Sequence, residues 1–406
     1  MIATSMPAKK RHLRMARRAV GVFFFLNGVM TAALSTRLPV LQTKLALAPD
    51  QLGLALLGCT IGGLVATNIA VYLARSFGSK MITTIAAVCM GLALFLIALA
   101  PTFPSLILAL VFFGVGSGAL DITMNIQGTE VEQEYGRPIL NAFHACFSIG
   151  SLVSALLGSA LAACDVSPVF HFLAIVLGVC VGIAWSSRFL LSSEAAAVVS
   201  REHARQKRVR PFSQPLILLG VIAFCALLSV GAMFDWSAVY LSDTLHTGTG
   251  LAAAGFATFL VCMTLGRSVG DKAAMRFGKA RLMRGACLLA ALGLALALLF
   301  PWVPVVLLGL GLVGIGLAVP FPLVVSAAGY LSRQERNSAL ATVTTWGYAG
   351  LLAGPPVIGF LASREGLRLA LVLVVLLCML ATLCASAVDM SGQKDDKETR
   401  GKRAPR

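Results

Sequence analysis

The chain is an almost uninterrupted series of apolar stretches, most of them long enough to cross a lipid bilayer. Of its 406 residues, 58% are hydrophobic and only 12% are charged, and the mean hydropathy is +0.87. A soluble globular protein has about 25% charged residues, whereas a helix needs roughly 20 apolar residues to cross a hydrocarbon core of about 30 Å. The sequence therefore predicts an all-α integral membrane protein.

The charges and turn residues that bound the apolar stretches divide them into twelve predicted spans. In chain order, spans 1 to 12 cover residues 18–38, 51–73, 81–100, 105–128, 139–163, 169–190, 214–241, 251–272, 281–300, 304–329, 338–362 and 368–388. We therefore expect about twelve transmembrane helices. The interiors of spans 3, 6, 9 and 12 contain almost nothing polar beyond Ser, Thr and Cys, which predicts that every third helix faces lipid.

The basic residues are distributed unevenly between the loops. If the N-terminus is cytoplasmic, only four of the 33 lysines and arginines lie outside, namely Arg37, Lys44, Arg364 and Arg368. Cytoplasmic loops of membrane proteins carry an excess of Lys and Arg, so we predict an inner (plasma) membrane protein with both termini cytoplasmic. The net charge of +16 then reflects topology and contact with anionic membrane lipids. It does not indicate a nucleic-acid partner.

The two halves of the chain repeat one pattern at a shift of 200 residues. The matching positions are Pro101 with Pro301, Pro104 with Pro304, and Phe77-Gly78 with Phe277-Gly278. Internal repeats of this kind are typical of secondary transporters. We predict two pseudo-symmetric six-helix bundles, at residues 1–190 and 214–390, joined by a basic cytoplasmic linker at 191–213 and followed by a cytoplasmic tail at 391–406.

Several local motifs accompany this architecture. They are Arg37-Leu-Pro39, Asp50-Gln-Leu-Gly53, Asp121-x-x-Met-Asn125-x-Gln127-Gly128, Arg137-Pro138, Phe143-His144, Asp235-Trp236-Ser237, Gly266-Arg267, Gly270-Asp271 and Gly354-Pro355-Pro356. With them the chain resembles the major facilitator superfamily, in particular a bacterial branch of rhizopine-transport-like membrane proteins and, more distantly, fucose permease. The resemblance implies alternating access and favours a sugar or polyol-like solute. The loop after span 2 departs from the superfamily pattern, because it keeps Gly78 and Lys80 but has no aspartate.

Asp121, in span 4, is the strongest candidate for a functional residue. An ionisable side chain within the membrane carries a large cost in free energy and usually has a function. Five residues of span 4 follow one another at intervals of four, three, four and three positions, which places them on one face of a helix. They are Gly114, Gly118, Asp121, Asn125 and Gly128. The glycines allow a neighbouring helix or a substrate to approach closely. Asp121 and Asn125 then either line a substrate cavity or form fixed hydrogen bonds that connect two helices.

Asp121 and Asp235 are the two acids that we expect to couple transport to protons. A carboxyl at membrane depth can load and release a proton as access alternates. Asp235 lies near the outer end of span 7, where a water-exposed helix end explains it equally well. Its neighbour Trp236 either stacks on a ligand or belongs to the aromatic belt at the membrane interface.

Other polar and aromatic residues of the spans are candidates of lower specificity. Asn27 in span 1 and the stripe of Asn141, His144, Ser148 and Ser151 in span 5 either line the cavity or are satisfied packing groups. Trp346 in span 11 lines the cavity or packs between helices. Arg267 and Asp271, four residues apart in span 8, are gating or packing residues. Arg37, at the outer end of span 1, either attracts an anionic group or anchors the helix end, and we favour the anchor.

The sequence thus favours a secondary transporter that moves a small-molecule substrate by alternating access, acts as a monomer and uses a proton gradient. Efflux of amphipathic compounds is one alternative, and a transport-fold membrane sensor is another. No G-x-x-x-x-G-K-[ST] motif indicates direct use of ATP, and no H-E-x-x-H or C-x-x-C pattern indicates a metal site. We therefore expect no enzyme activity, no catalytic residues, no cofactor and no bound metal.

Overall fold

The computed structural model describes residues 6–135, 139–191, 214–329 and 336–390, which are almost entirely helical. The helices are α1 (Met6–Lys44), α2 (Pro49–Phe77), α3 (Ser79–Leu99), α4 (Phe103–Tyr135), α5 (Leu140–Ala163), α6 (Pro168–Ser186), α7 (Gln214–Val239), α8 (Thr249–Phe277), α9 (Lys279–Leu299), α10 (Val303–Leu317), α11 (Pro320–Gly329), α12 (Arg336–Glu365), α13 (Leu367–Ala370), α14 (Val372–Cys384) and α15 (Ala387–Met390). A 3₁₀ turn at Ser187–Phe189 follows α6, and a π turn at Tyr240–Thr244 follows α7.

The predicted all-α membrane fold is confirmed. Among the described residues, eleven helical segments are long and apolar enough to cross a membrane. The 30-residue helix α12 coincides with the remaining predicted span. Several helices extend past their predicted spans. In particular, α4 continues to Tyr135, which places Glu130, Glu132 and Glu134 on the helix and not in the loop after it.

Prolines affect the helices in two different ways. Pro39 lies inside α1, and Pro355 and Pro356 lie inside α12. Span 10, by contrast, is divided into α10 and α11 immediately before Pro320. Proline lacks the backbone N–H and its ring clashes with the preceding turn. Such interruptions are tolerated in membranes where neighbouring helices cover the released backbone groups.

The chain divides into two compact units. The first comprises Met1–Ala204 with Gly248–Ala254, and the second comprises Arg205–Thr247 with Gly255–Arg406. Within the first unit, α1 is almost wholly buried and packs against α4, α5 and α6. Within the second, α7 is the equally buried helix and packs against α12 and α14. The predicted linker and tail lie outside the described residues, apart from Leu191, so those boundaries stay predictions.

The repeat seen in the sequence is also present in the backbone. Gly78 and Gly278 both have positive φ, at 85° and 83°, where they separate α2 from α3 and α8 from α9. A Cβ on Gly114 would overlap the carbonyl oxygen of Cys59, and a Cβ on Gly314 would overlap that of Phe259. These two contacts are related by the same shift of 200 residues. Each unit therefore brings two helix backbones together at an equivalent glycine.

We expect Gly114→Ala to lower the stability of the protein. The added methyl group would overlap the backbone of α2 at Cys59, and backbone, unlike a side chain, cannot adopt another rotamer to make room. Forced overpacking costs about 1–3 kcal/mol, which thermal unfolding of the detergent-purified protein will detect as a lower midpoint. Gly178→Ala in α6 is the matched control, since nothing lies within 4 Å of its added Cβ and alanine is the better helix former. Equal midpoints for the two variants would contradict the close contact.

Candidate functional site

Asp121 lies near the middle of α4, immediately beyond the place where this helix crosses α2. At the crossing, Gly114 and Gly118 abut the backbone at Cys59 and Gly63. One helical turn after Gly118 the Asp121 side chain is exposed. The glycines of the predicted polar face therefore serve a helix–helix contact, while the acid is free of it. An exposed carboxylate halfway along a membrane span is costly beside lipid tails, so it needs a water-filled surface.

Asn125 lies one turn further along α4 and is partly exposed. Its Nδ2 donates to the backbone carbonyl of Asp121 at 2.7 Å. This bond holds the amide close to the carboxylate and uses one of its two N–H groups. The second N–H and the amide oxygen make no hydrogen bond to another described side chain. The two residues thus form one polar surface on α4.

Asn27 connects this surface to α1. Its side chain is buried, and its Nδ2 donates to the sulfur of Met124 at 3.8 Å, next to Asn125 in the chain. The Oδ1 atom of Asn27 is buried and has no hydrogen-bond partner among the described residues. A buried amide oxygen without a partner costs about 1–3 kcal/mol. Asn27 therefore lies behind the exposed surface, with an acceptor available for water or a rearranged neighbour.

His144 and Ser148 lie on α5, which packs closely against α1. The exposed His144 ring packs edge-on against Phe24, with ring centroids 5.1 Å apart. Ser148 donates to the His144 carbonyl of its own helix at 3.2 Å. Ser151, on the same predicted stripe, is buried and donates to Gly28 O of α1. The stripe is thus divided between exposed residues and a packing residue, and the Asn141 side chain lies outside the described part.

In the second unit, Asp235 and Trp236 occupy different environments. Asp235 is partly exposed, and Phe234 before it packs against Phe256 and Phe259 of α8. The Trp236 side chain is 0% exposed, and its Nε1 has no described hydrogen-bond partner. In this conformation Trp236 is a packing residue of α7, and no ligand can stack on it. Its predicted role in binding stays a prediction that requires the ring to become accessible.

The remaining candidates of the second unit lie on α8 and α12. Trp346 is 39% exposed and rests against Gly220 of α7, where an added Cβ would lie 3.0 Å from the indole. Arg267 is exposed on α8. The side chain of Asp271 lies outside the described part, so its pairing with Arg267 stays a prediction. Trp346 thus packs against α7 and also has an accessible edge. Whether it lines a substrate cavity stays a prediction.

A buried contact between Arg37 and His171 was not predicted. Arg37 is 1% exposed, and its Nε donates to His171 Nδ1 at 3.0 Å. Arg37 Nη2 and His171 Nε2 are buried without a described partner. Arg37 is therefore an internal connection between α1 and α6 and not an exposed anchor.

A second polar cluster joins α4 to the end of the first unit. Gln127 Nε2 donates to Ser79 Oγ at 2.7 Å and to Leu191 O at 2.8 Å, and Leu191 N donates back to Gln127 Oε1 at 3.0 Å. Glu130 is buried beside it and accepts from the same Nε2 at 3.2 Å. The only sequence signal for this cluster was the position of Gln127 in the α4 motif.

Comparison with known proteins supports this fold. The Major Facilitator Superfamily model matches residues 20–330 and 256–406. An uncharacterized MFS-type transporter of Yersinia pestis is 32% identical over 365 residues, covering 90% of this chain and 94% of that protein. Membrane protein MosC of Rhizobium meliloti is 30% identical over 369 residues, covering 91% and 88%. The protein is thus a multi-pass membrane transporter.

It belongs to the major facilitator superfamily, and the predicted resemblance is confirmed. Among solved structures, a point mutant of the nucleoside transporter NupG superposes with a TM-score of 0.75 at 14% identity, covering 93% of this chain and 99% of that one. At this identity the likeness concerns the fold. Transporters of this fold bind small molecules between two bundles of helices.

We expect His171→Phe to destabilise the protein, because it leaves the Arg37 guanidinium buried without its acceptor. An unsatisfied buried donor costs about 1–3 kcal/mol, whereas removing both partners is nearly neutral. Thermal unfolding of His171→Phe, Arg37→Met and the double variant forms a double-mutant cycle. The double variant should be more stable than His171→Phe alone. Strictly additive losses would show that the two side chains do not interact.

Proposed function

We propose that this protein is a proton-coupled secondary transporter of a small polyhydroxylated solute, such as a sugar or polyol, and works by alternating access. The observation that supports the proposal most strongly is the exposed Asp121 carboxylate near the middle of α4. In a transporter fold, an ionisable residue at this depth marks a substrate or proton pathway. Asp121 is proposed as the main coupling residue, and the partly exposed Asp235 as the second.

The chemistry of the exposed groups fits hydroxyl-rich ligands. A carboxylate accepts hydrogen bonds from neighbouring hydroxyls, and an amide both donates and accepts. Asp121 and Asn125 present these two groups one helical turn apart. His144 and Ser148 add an imidazole and a hydroxyl on α5. We propose these four side chains as the solute-binding groups of the first unit, with Trp346 as an accessible aromatic surface in the second.

The proposal is tested by reconstituting the protein in liposomes with an imposed pH gradient. We expect Asp121→Asn to keep counterflow of labelled solute but to lose accumulation, because the neutral amide cannot carry a proton. The internal solute concentration should then not exceed the external one. Asp165→Asn is the matched control. Its residue is exposed in the α5–α6 loop at a φ of 55°, a conformation that asparagine tolerates.

The outcomes separate the possible functions. Full accumulation by Asp121→Asn at normal expression would refute its coupling role. If only amphipathic compounds show counterflow, the protein is an efflux transporter of such compounds and the proposal of a sugar or polyol substrate is wrong. Absence of counterflow across a broad metabolite panel, in protein whose thermal stability still rises with ligand, would favour a sensor. Ligands found by that thermal-shift screen then supply the labelled solutes.

The membrane orientation with both termini cytoplasmic is a separate proposal. It places the α5–α6 loop outside and the α2–α3 turn inside. Cys164 in the first and Ser76 at the end of α2 are both exposed. We expect a variant retaining only Cys164 to react with a membrane-impermeant maleimide in right-side-out vesicles. A cysteine-free variant with Ser76→Cys should react only in inverted vesicles. The reverse pattern would overturn the orientation.

A further inference from the structure

A large cavity opens in the first unit on the side of α1 opposite its contact with Met124. It has a volume of about 790 Å³ and lies between α1, α5 and α6, with Tyr135 of α4 at its edge. The described residues that line it include three arginines, at positions 14, 17 and 18, and no acid. None of the candidate solute-binding residues is among them. The cavity therefore has a charge pattern and a location that the proposed transport function does not use.

The lining changes from cationic to apolar along the helix axis. Arg14, Arg18, Gly21, Val22 and Phe25 follow one another at helical spacing on a single face of α1. At 1.5 Å per residue, Phe25 lies about 10 Å deeper than Arg18. On the facing helix α5, Ala142, Cys146 and Ile149 continue the same direction. The cavity is thus a groove parallel to the helices, with a positive end and an apolar end.

The groove is continuous with an exposed apolar surface on α5 and α6. Ile149 and Trp185 line it and are 51% and 41% exposed. They begin exposed apolar rows that continue through Val153 and Leu156 on α5 and through Val181 on α6. Large exposed apolar side chains on a membrane-spanning helix contact acyl chains.

We propose that this groove binds one anionic phospholipid, with its phosphodiester on Arg14 and Arg18 and an acyl chain along Val22, Phe25 and Ile149. Arg17, whose guanidinium carbon lies 5.4 Å from the centroid of the Tyr135 ring, also lines the groove. Basic pockets between transmembrane helices attract anionic headgroups. Gly21 leaves the groove open between the two parts of the lipid. A free anion would use the arginines but would leave the apolar half empty.

The test is native mass spectrometry of the delipidated, detergent-purified protein titrated with dioleoylphosphatidylglycerol or dioleoylphosphatidylcholine. We expect preference for the anionic lipid, and on the order of tenfold weaker binding of it by the Arg14→Gln/Arg18→Gln variant. Arg281→Gln/Arg284→Gln is the matched control. It removes two exposed arginines from α9 in the second unit and should bind the lipid as the wild type does.

A second variant tests the groove without changing its charge. A Cβ at Gly21 would lie 3.5 Å from Cys146 Sγ, so Gly21→Leu fills the groove and should weaken lipid binding while inorganic phosphate is bound as before. Unchanged lipid binding by Arg14→Gln/Arg18→Gln would overturn the proposal. Equal weakening in the Arg281→Gln/Arg284→Gln control would do so as well, since it would show a general charge effect. Full competition by inorganic phosphate would assign the arginines to a free anion.

Discussion

Hydrocarbon offers no hydrogen-bond partners, and this constraint determines how the chain is built. Every backbone N–H and C=O at membrane depth must be satisfied within the protein, so the chain forms long helices. Helices in lipid gain little from the hydrophobic effect and are held by close packing instead. Gly114 against Cys59 and Gly314 against Phe259 show the result, since helix backbones meet there with no side chain between them. The arrangement of each unit depends on these contacts.

The same constraint explains why the fold was largely predictable from the sequence. Apolar length predicted the spans, and the 200-residue register predicted equivalent turns at Gly78 and Gly278. Helix ends were less predictable, because α1 and α4 continue beyond the apolar stretch into regions where water can satisfy the backbone. The break before Pro320 was also missed. Hydropathy reports how long a segment stays apolar, and it does not report where the backbone hydrogen bonds stop.

The candidate site was predictable only in part. Helical spacing correctly grouped Gly114 and Gly118 with Asp121, but it did not show that the glycines contact α2 while the acid stays exposed. For Trp236 the sequence left interface and ligand contact open, and the structure buries its ring instead. The partnership of Arg37 and His171 joins residues 134 positions apart. No local pattern specifies such a pair, because it depends on how α1 and α6 pack in three dimensions.

The glycine contacts also affect how such a protein diversifies. At equivalent places in both units the facing backbones leave no room for a side chain, so the packing restricts these positions to glycine. The polar positions do not share that restriction: Asp121 corresponds to Phe321 in the 200-residue register, and Asp235 to Ser35. After duplication, the two halves were therefore able to acquire different chemistry without weakening the contacts between helices. The residues proposed to bind solute and protons are thus distinct from the glycines that hold the helices together.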